Sequence, residues 1–201
     1  MNAIRRTIWC TLVAVVALGS ARAAPTDSGV TLDQLMATLR TVRHVNARYV
    51  ERRTLHALRT PIETRGTLRF DAPDQLEKAS DPGGNGAGDR LSIKGDQLTI
   101  DRGHGEAPVV LMLNEHPEIG VLIESIRATL SGDGAALRRI FDITLAGTVE
   151  RWEIVLQPHD PTQREILQWM RIDGIAARIT TIDTQSGDGD HAEMTIEDRA
   201  P

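Results

Sequence analysis

Along this chain the spacing of apolar side chains changes several times, and each change predicts a change of backbone. Leu32, Leu35, Met36, Leu39 and Val42 recur at helical spacing, and Thr31 with Gln34 three residues on forms a capping box, so a helix is predicted over 32–44. Beyond it the period drops to two. Ala47 and Tyr49 alternate with Arg48 and Val50; then Ile62, Thr64, Gly66, Leu68 and Phe70 alternate with Glu63, Arg65, Thr67 and Arg69. One apolar and one charged face mark a strand of a half-buried antiparallel sheet, opened by Pro61 and closed by Ala72-Pro73.

Shorter strands follow. One is predicted over 75–80, ahead of the segment 81–88, whose glycines predict a mobile loop. Leu91 with Ile93 and Leu98 with Ile100 flank a hairpin turn at Lys94-Gly95-Asp96-Gln97, and the apolar run 108–113 predicts one more strand. Pro117 then suits a helix entry, with Val121, Leu122, Ile123, Ile126 and Leu130 as a broad apolar stripe. Ser131-Gly132-Asp133 breaks that helix, and Asp133 is placed to cap a second, short one carrying Leu137, Ile140 and Phe141. Strands are predicted again over 143–149, 152–157, 166–172, 175–182 and 192–196, with turns at glycines 147, 174 and 187–189. The fold class expected is α+β: a large curved antiparallel sheet, an incomplete β-barrel, with helices covering the concave face.

The first 23 residues read differently. Arg5 and Arg6 precede an apolar run of about 11 residues, Ile8 to Leu18, which ends at Gly19-Ser20 and the small-x-small triplet Ala21-Arg22-Ala23. That is a signal peptide cleaved after Ala23, too short for a membrane span, which needs roughly 20 residues. A single exported domain over 24–201 is expected, and with it a periplasmic location. Cys10 lies inside the apolar run, so the mature chain has no cysteine for a disulfide, a thiol nucleophile or a zinc-thiolate site. Without Arg5, Arg6 and Arg22 it carries 20 basic and 28 acidic residues, a net charge of −8. No basic block remains, which argues against nucleic acid as a partner; no second apolar segment spans a membrane, and a soluble monomer is expected.

Catalytic chemistry finds no constellation. The histidines at 44, 56, 104, 116, 159 and 191 have no metal-ligand spacing, and neither a G-x-S-x-G elbow nor a phosphate-cradling glycine loop occurs. Asp183 with Asp188-Gly189-Asp190-His191 reads as a solvated hairpin tip in preference to a metal site, and Glu115-His116-Pro117-Glu118 as an acidic helix entry in preference to an acid/base pair. No enzyme activity, cofactor or metal is expected.

Three regions, Gly66 to Leu76, Leu91 to Ile100, and Leu130 to Phe141 followed by Trp152 to Pro158, together resemble the periplasmic lipoprotein-carrier family LolA, most closely its divergent branch, over essentially the whole mature chain. Gly66 to Leu76 resembles the family's strand–proline–strand corner with a glycine at its head, and Leu91 to Ile100 its Gly-Asp hairpin. Leu130 to Phe141 followed by Trp152 to Pro158 resembles the helix-to-strand junction of the divergent branch. The resemblance implies an incomplete barrel closed by helices around an apolar cavity for acyl chains. It implies lipid or acylated cargo, carried from an inner-membrane exporter to an outer-membrane acceptor. The family's carriers place a basic residue directly before the corner proline, where this chain has Ala72. Divergent members are associated with RND-type exporters, which makes a lipid or envelope-stress sensor acting through a protein partner the alternative reading. The aromatics number six in the whole chain, so an aliphatic lining suits a flexible chain better than a planar ring, although the same residues would serve a packed core. The lining expected is Leu68, Phe70, Leu91, Ile93, Val121, Leu122, Ile126, Leu130, Trp152, Ile154 and Trp169.

Overall fold

A computed structural model describes residues 29–83, 88–103 and 105–198. The signal peptide expected over 1–23 and the centre of the expected glycine loop, 84–87, lie outside the described residues. The elements in chain order are α1 (Leu32–Leu39), β1 (His44–Thr54), β2 (Ile62–Asp71), β3 (Gln75–Ser80), β4 (Arg90–Lys94), β5 (Gln97–Asp101) and β6 (Val109–Met112). Then come α2 (Pro117–Ser131), α3 (Gly134–Ile140), β7 (Phe141–Gly147), β8 (Trp152–Pro158), α4 (Pro161–Arg164), β9 (Trp169–Ile175), β10 (Arg178–Gln185) and β11 (His191–Asp198). The eleven strands form one antiparallel sheet in the order β6-β5-β4-β3-β2-β1-β11-β10-β9-β8-β7. It curves without closing, so the α+β reading and the incomplete barrel are what the fold shows. Among the described residues no helix is long and apolar enough to cross a membrane.

The topology puts β1, the first strand in sequence, at the centre, hydrogen-bonded to β2 on one side and to the last strand, β11, on the other. That explains the first departure from the predicted elements. The helix expected over 32–44 stops at Leu39, because the residues from His44 onward serve as the strand on which both halves of the sheet are joined. Its start is as predicted: the Thr31 hydroxyl accepts from the Gln34 backbone N–H at 3.3 Å, and the Gln34 side-chain oxygen accepts from the Thr31 N–H at 2.9 Å. Thr31→Ala removes half of that exchange and is expected to cost about 1 kcal/mol, read as a fall in the denaturant midpoint at unchanged slope.

The second departure lies at the β9–β10 turn. Asp173-Gly174 reads as turn-forming, yet Gly174 lies within β9 and the chain reverses at Ala176-Ala177, with Ala176 at φ 51°. Gly174 is needed for space: a Cβ there would stand 2.1 Å from Cζ2 of Trp152, whose ring lies against it. A third departure precedes β9, where Ile166 sits after the short helix α4 and the strand begins only at Trp169. The strand expected over 108–113 is observed as β6 at one edge of the sheet, with Val110 and Met112 largely exposed.

The apolar interior is in two parts. The larger joins Leu35, Met36 and Leu39 of α1, Val121 and Ala128 of α2 and Leu137 of α3 to Trp152, Ile154, Leu156, Met170 and Ile172 of β8 and β9. The smaller joins Ile93 and Leu98 of the β4–β5 hairpin to Leu113 and to Ile123 of α2. Helix α2 contributes to both and passes over the sheet between them.

Candidate functional site

Between the two clusters the inner face of the sheet is not filled. A cavity of about 820 Å³ lies there, with α2 on one side and the sheet on the other. Leu68, Phe70, Leu76, Leu91, Ile93, Leu98 and Ile100 form one flank of its wall, and Ile179, Ile182, Ala192, Met194 and Ile196 the other. Ile119, Leu122, Ile123, Ile126 and Leu130 reach in from α2, and Leu39, Val42 and Val45 close it near α1. The strand period explains the lining. On β11, Ala192, Met194 and Ile196 turn inward at alternate positions, and on β2 Leu68 and Phe70 do the same. The volume falls within the roughly 300–1,000 Å³ typical of small-ligand sites.

Helix α2 can lie over this space because its buried hydroxyls are satisfied within the helix. Ser125 donates to the Leu122 carbonyl at 2.7 Å and Thr129 to the Ser125 carbonyl at 2.7 Å. Its end is fixed to α1, where Arg40 donates to the Gly132 carbonyl at 2.9 Å and Gly132, at φ 68°, leaves no room for a Cβ beside the Met36 carbonyl.

Of the residues expected to line a cavity, Leu68, Phe70, Leu91, Ile93, Leu122, Ile126 and Leu130 are brought together on its walls. Val121, Trp152 and Ile154 do not reach it; they pack into the larger core cluster. Trp152 is 2 % exposed and its indole N–H donates to the Ala176 carbonyl at 2.9 Å, so the ring is held against the sheet. Trp169 is on the outer face, tilted against His191 at 6.4 Å between ring centroids, with the Arg171 guanidinium 5.7 Å from its ring.

Five charged residues line the wall and none was foreseen from sequence; three of them, Glu51 and Arg53 of β1 and Lys78 of β3, form one connected group. The Lys78 ammonium lies 2.7 Å from a Glu51 carboxylate oxygen and 5.0 Å from the centroid of the Tyr49 ring, and the same oxygen is 3.4 Å from Arg53 Nε. Glu51 and Lys78 are both largely buried, at 8 % and 17 % side-chain exposure. Burial pushes the Lys78 ammonium below its ordinary pKa, and the Glu51 charge draws it part of the way back. The strand parity that places Ala47 and Tyr49 inside places Glu51 and Arg53 inside as well, so the signal was present in the alternation.

The aspartates and histidine singled out around the β10–β11 turn make contacts within the fold. Asp190 accepts from the His56 backbone N–H at 2.7 Å, and His191 lies 2.5 Å from Asp183, which also pairs with Arg171 across the outer face. Among the described residues no group of three or more histidines and carboxylates is arranged to hold a metal ion.

A family model described as outer membrane lipoprotein carrier protein LolA-like matches residues 23–200. The chain belongs to this LolA-like family. No protein of curated function matches it. Among solved structures, this LolA-like protein is similar to a LolA superfamily protein from Nitrosomonas europaea at 10% identity, covering 86% of this chain and 95% of that one with a TM-score of 0.42. It is also similar to a DUF1329 family protein from Desulfovibrio piger, at 9% identity over 83% and 88% of the two chains with a TM-score of 0.42. LprF from Mycobacterium bovis aligns at 10% identity over 83% and 91%, with a TM-score of 0.32.

Proposed function

We propose that this LolA-like protein is a periplasmic carrier that takes the acyl chain of a lipid or lipid-like cargo into the cavity under α2 and passes it between the two membranes. The observation that supports this reading most is the division of the apolar interior into two clusters with some 820 Å³ between them, walled by aliphatic side chains. A sheet that needed only to be stable would close that gap, since interiors otherwise pack to crystal-like density. Each methylene taken out of water contributes about 0.8 kcal/mol, so a 16-carbon chain carries a gross transfer term of roughly 12 kcal/mol. A carrier must give its cargo up again. A helix that moves away from the sheet to release it, as α2 is placed to do, loses apolar contact with both clusters and offsets part of that term.

The test is chemical. Protein purified from an exported source and extracted with organic solvent is expected to release an acyl species in near-stoichiometric amount, identified by mass spectrometry. Stripped protein is expected to take up an added fluorescent fatty acid. An extract free of acyl chains, together with no uptake of the probe, would overturn the carrier reading.

A further inference from the structure

The charged trio on the cavity wall is not accounted for by packing. Two buried charges on an inner sheet face must be desolvated, and well-packed apolar residues of the same volume commonly replace such a pair at no loss of stability. Here the cations also outnumber the anion. The residues lining the cavity include Arg53, Arg69, Lys78 and Arg178 against a single carboxylate, Glu51. The chain as a whole has the opposite balance, a formal net charge of −5. A cavity that inverts the sign of its own protein is suited to an anion. Within it, the side chains of Lys78 and Arg53 converge on one Glu51 oxygen, so one unit of positive charge is left over where they meet.

We propose that the cargo is an acyl compound with an anionic head, and that Lys78 and Arg53 hold that head, a phosphate or a carboxylate, at the charged part of the wall. The proposal rests on the carrier reading. The chain lies against Leu68, Met194 and the underside of α2, and the head exchanges with Glu51 for the two cations. Arg53 is half exposed, at 51 %, whereas Glu51 is buried, so the guanidinium reaches toward solvent as the head enters. A cationic head has no second carboxylate to meet. An uncharged head gains nothing from displacing Glu51, because charge-assisted hydrogen bonds are roughly twice as strong as neutral ones.

The experiment compares ligands of equal chain length by displacement of a fluorescent fatty acid from the full-length mature protein. Myristate, an alkyl phosphate with the same tail, and tetradecanol are titrated against wild type, Arg53→Gln and Glu51→Gln. Wild type is expected to bind at least one of the two anions about tenfold more tightly than the alcohol, and the preferred anion separates phosphate from carboxylate. Arg53→Gln is expected to lose most of that preference. Glu51→Gln, which keeps the side chain's shape and removes the competing charge, is expected to strengthen binding of the anions relative to tetradecanol. Thermal melts confirm that both variants are folded. Equal affinity for all three ligands, unchanged in both variants, overturns the anionic head and leaves the carrier standing. No binding of any ligand to wild type overturns both.

Discussion

Gly174→Ala is expected to destabilise the protein by about 3 kcal/mol, the upper part of the range for forcing extra volume into a packed site. The added methyl would lie 2.1 Å from Cζ2 and 2.4 Å from Cε2 of Trp152, and 2.7 Å from the Arg178 carbonyl. None of these groups can yield cheaply. Trp152 is buried, and it is tethered through its indole nitrogen to the Ala176 carbonyl in the turn that follows Gly174. Moving the ring therefore strains the β9–β10 turn as well as the core. For a domain of this size the loss corresponds to a fall in Tm of roughly 6–12 °C, measurable by circular dichroism. Gly120→Ala is the control. That glycine is helical, a Cβ meets nothing nearer than the Leu113 carbonyl at 3.6 Å, and the substitution is expected to raise stability by up to about 1 kcal/mol. A Gly174→Ala protein that melts within a degree or two of wild type would refute the ring-on-glycine contact.

Gly174 also shows where sequence reasoning misplaces a feature. A glycine in a strand and a glycine in a turn look alike without the cross-strand partner, and here the partner is a tryptophan some twenty residues earlier, paired directly with it in the ladder. The helix end near Leu39 was hidden for a similar reason: Val42 continues the helical spacing, and only the pairing of β1 with β2, which begins at His44 opposite Asp71, requires extended backbone there. Local features were legible. The capping box at Thr31, the two-residue turn between β4 and β5 and the alternation along β2 are set by neighbours in sequence.

The cavity wall was legible as a face but not as a place. Alternation tells which side of the sheet a residue occupies, and Trp152 and Ile154 share that inner side with Leu68 and Phe70. It does not tell which stretch of the face a helix covers. Strand order decides that: β8 lies toward the far edge, under α1 and α3, whereas β1, β2 and β11 lie in the middle, where the clusters part. Trp169 fails one step earlier, because its strand begins three residues later than the apolar run suggests and its parity puts the ring outside. Glu51 and Lys78 escaped notice for a chemical reason, since a charged residue in an alternating strand ordinarily belongs to the solvent face.

Ala192→Trp is expected to abolish acyl binding while leaving the protein as stable as before, and this pair of outcomes separates a cavity from a core. Ala192 faces inward on β11, opposite Arg53 on β1 and Thr184 on β10, and all three line the open space. In a filled interior an indole at this position would force neighbours off their rotamers and cost at least the 1–3 kcal/mol of ordinary overpacking. In a space of about 820 Å³ it has room, and it gains dispersion contacts with walls that have no partner atoms on that side. Tm should therefore hold or rise, while the ligand loses the volume and the approach to Lys78, with affinity falling by more than about tenfold. Thr195→Trp, on the exposed face of the same strand, is expected to alter neither property. A large drop in Tm for Ala192→Trp with ligand uptake intact would mean that side chains already occupy the space and the acyl chain binds elsewhere, and neither the cavity under α2 as the site nor the anionic head held there could then be sustained.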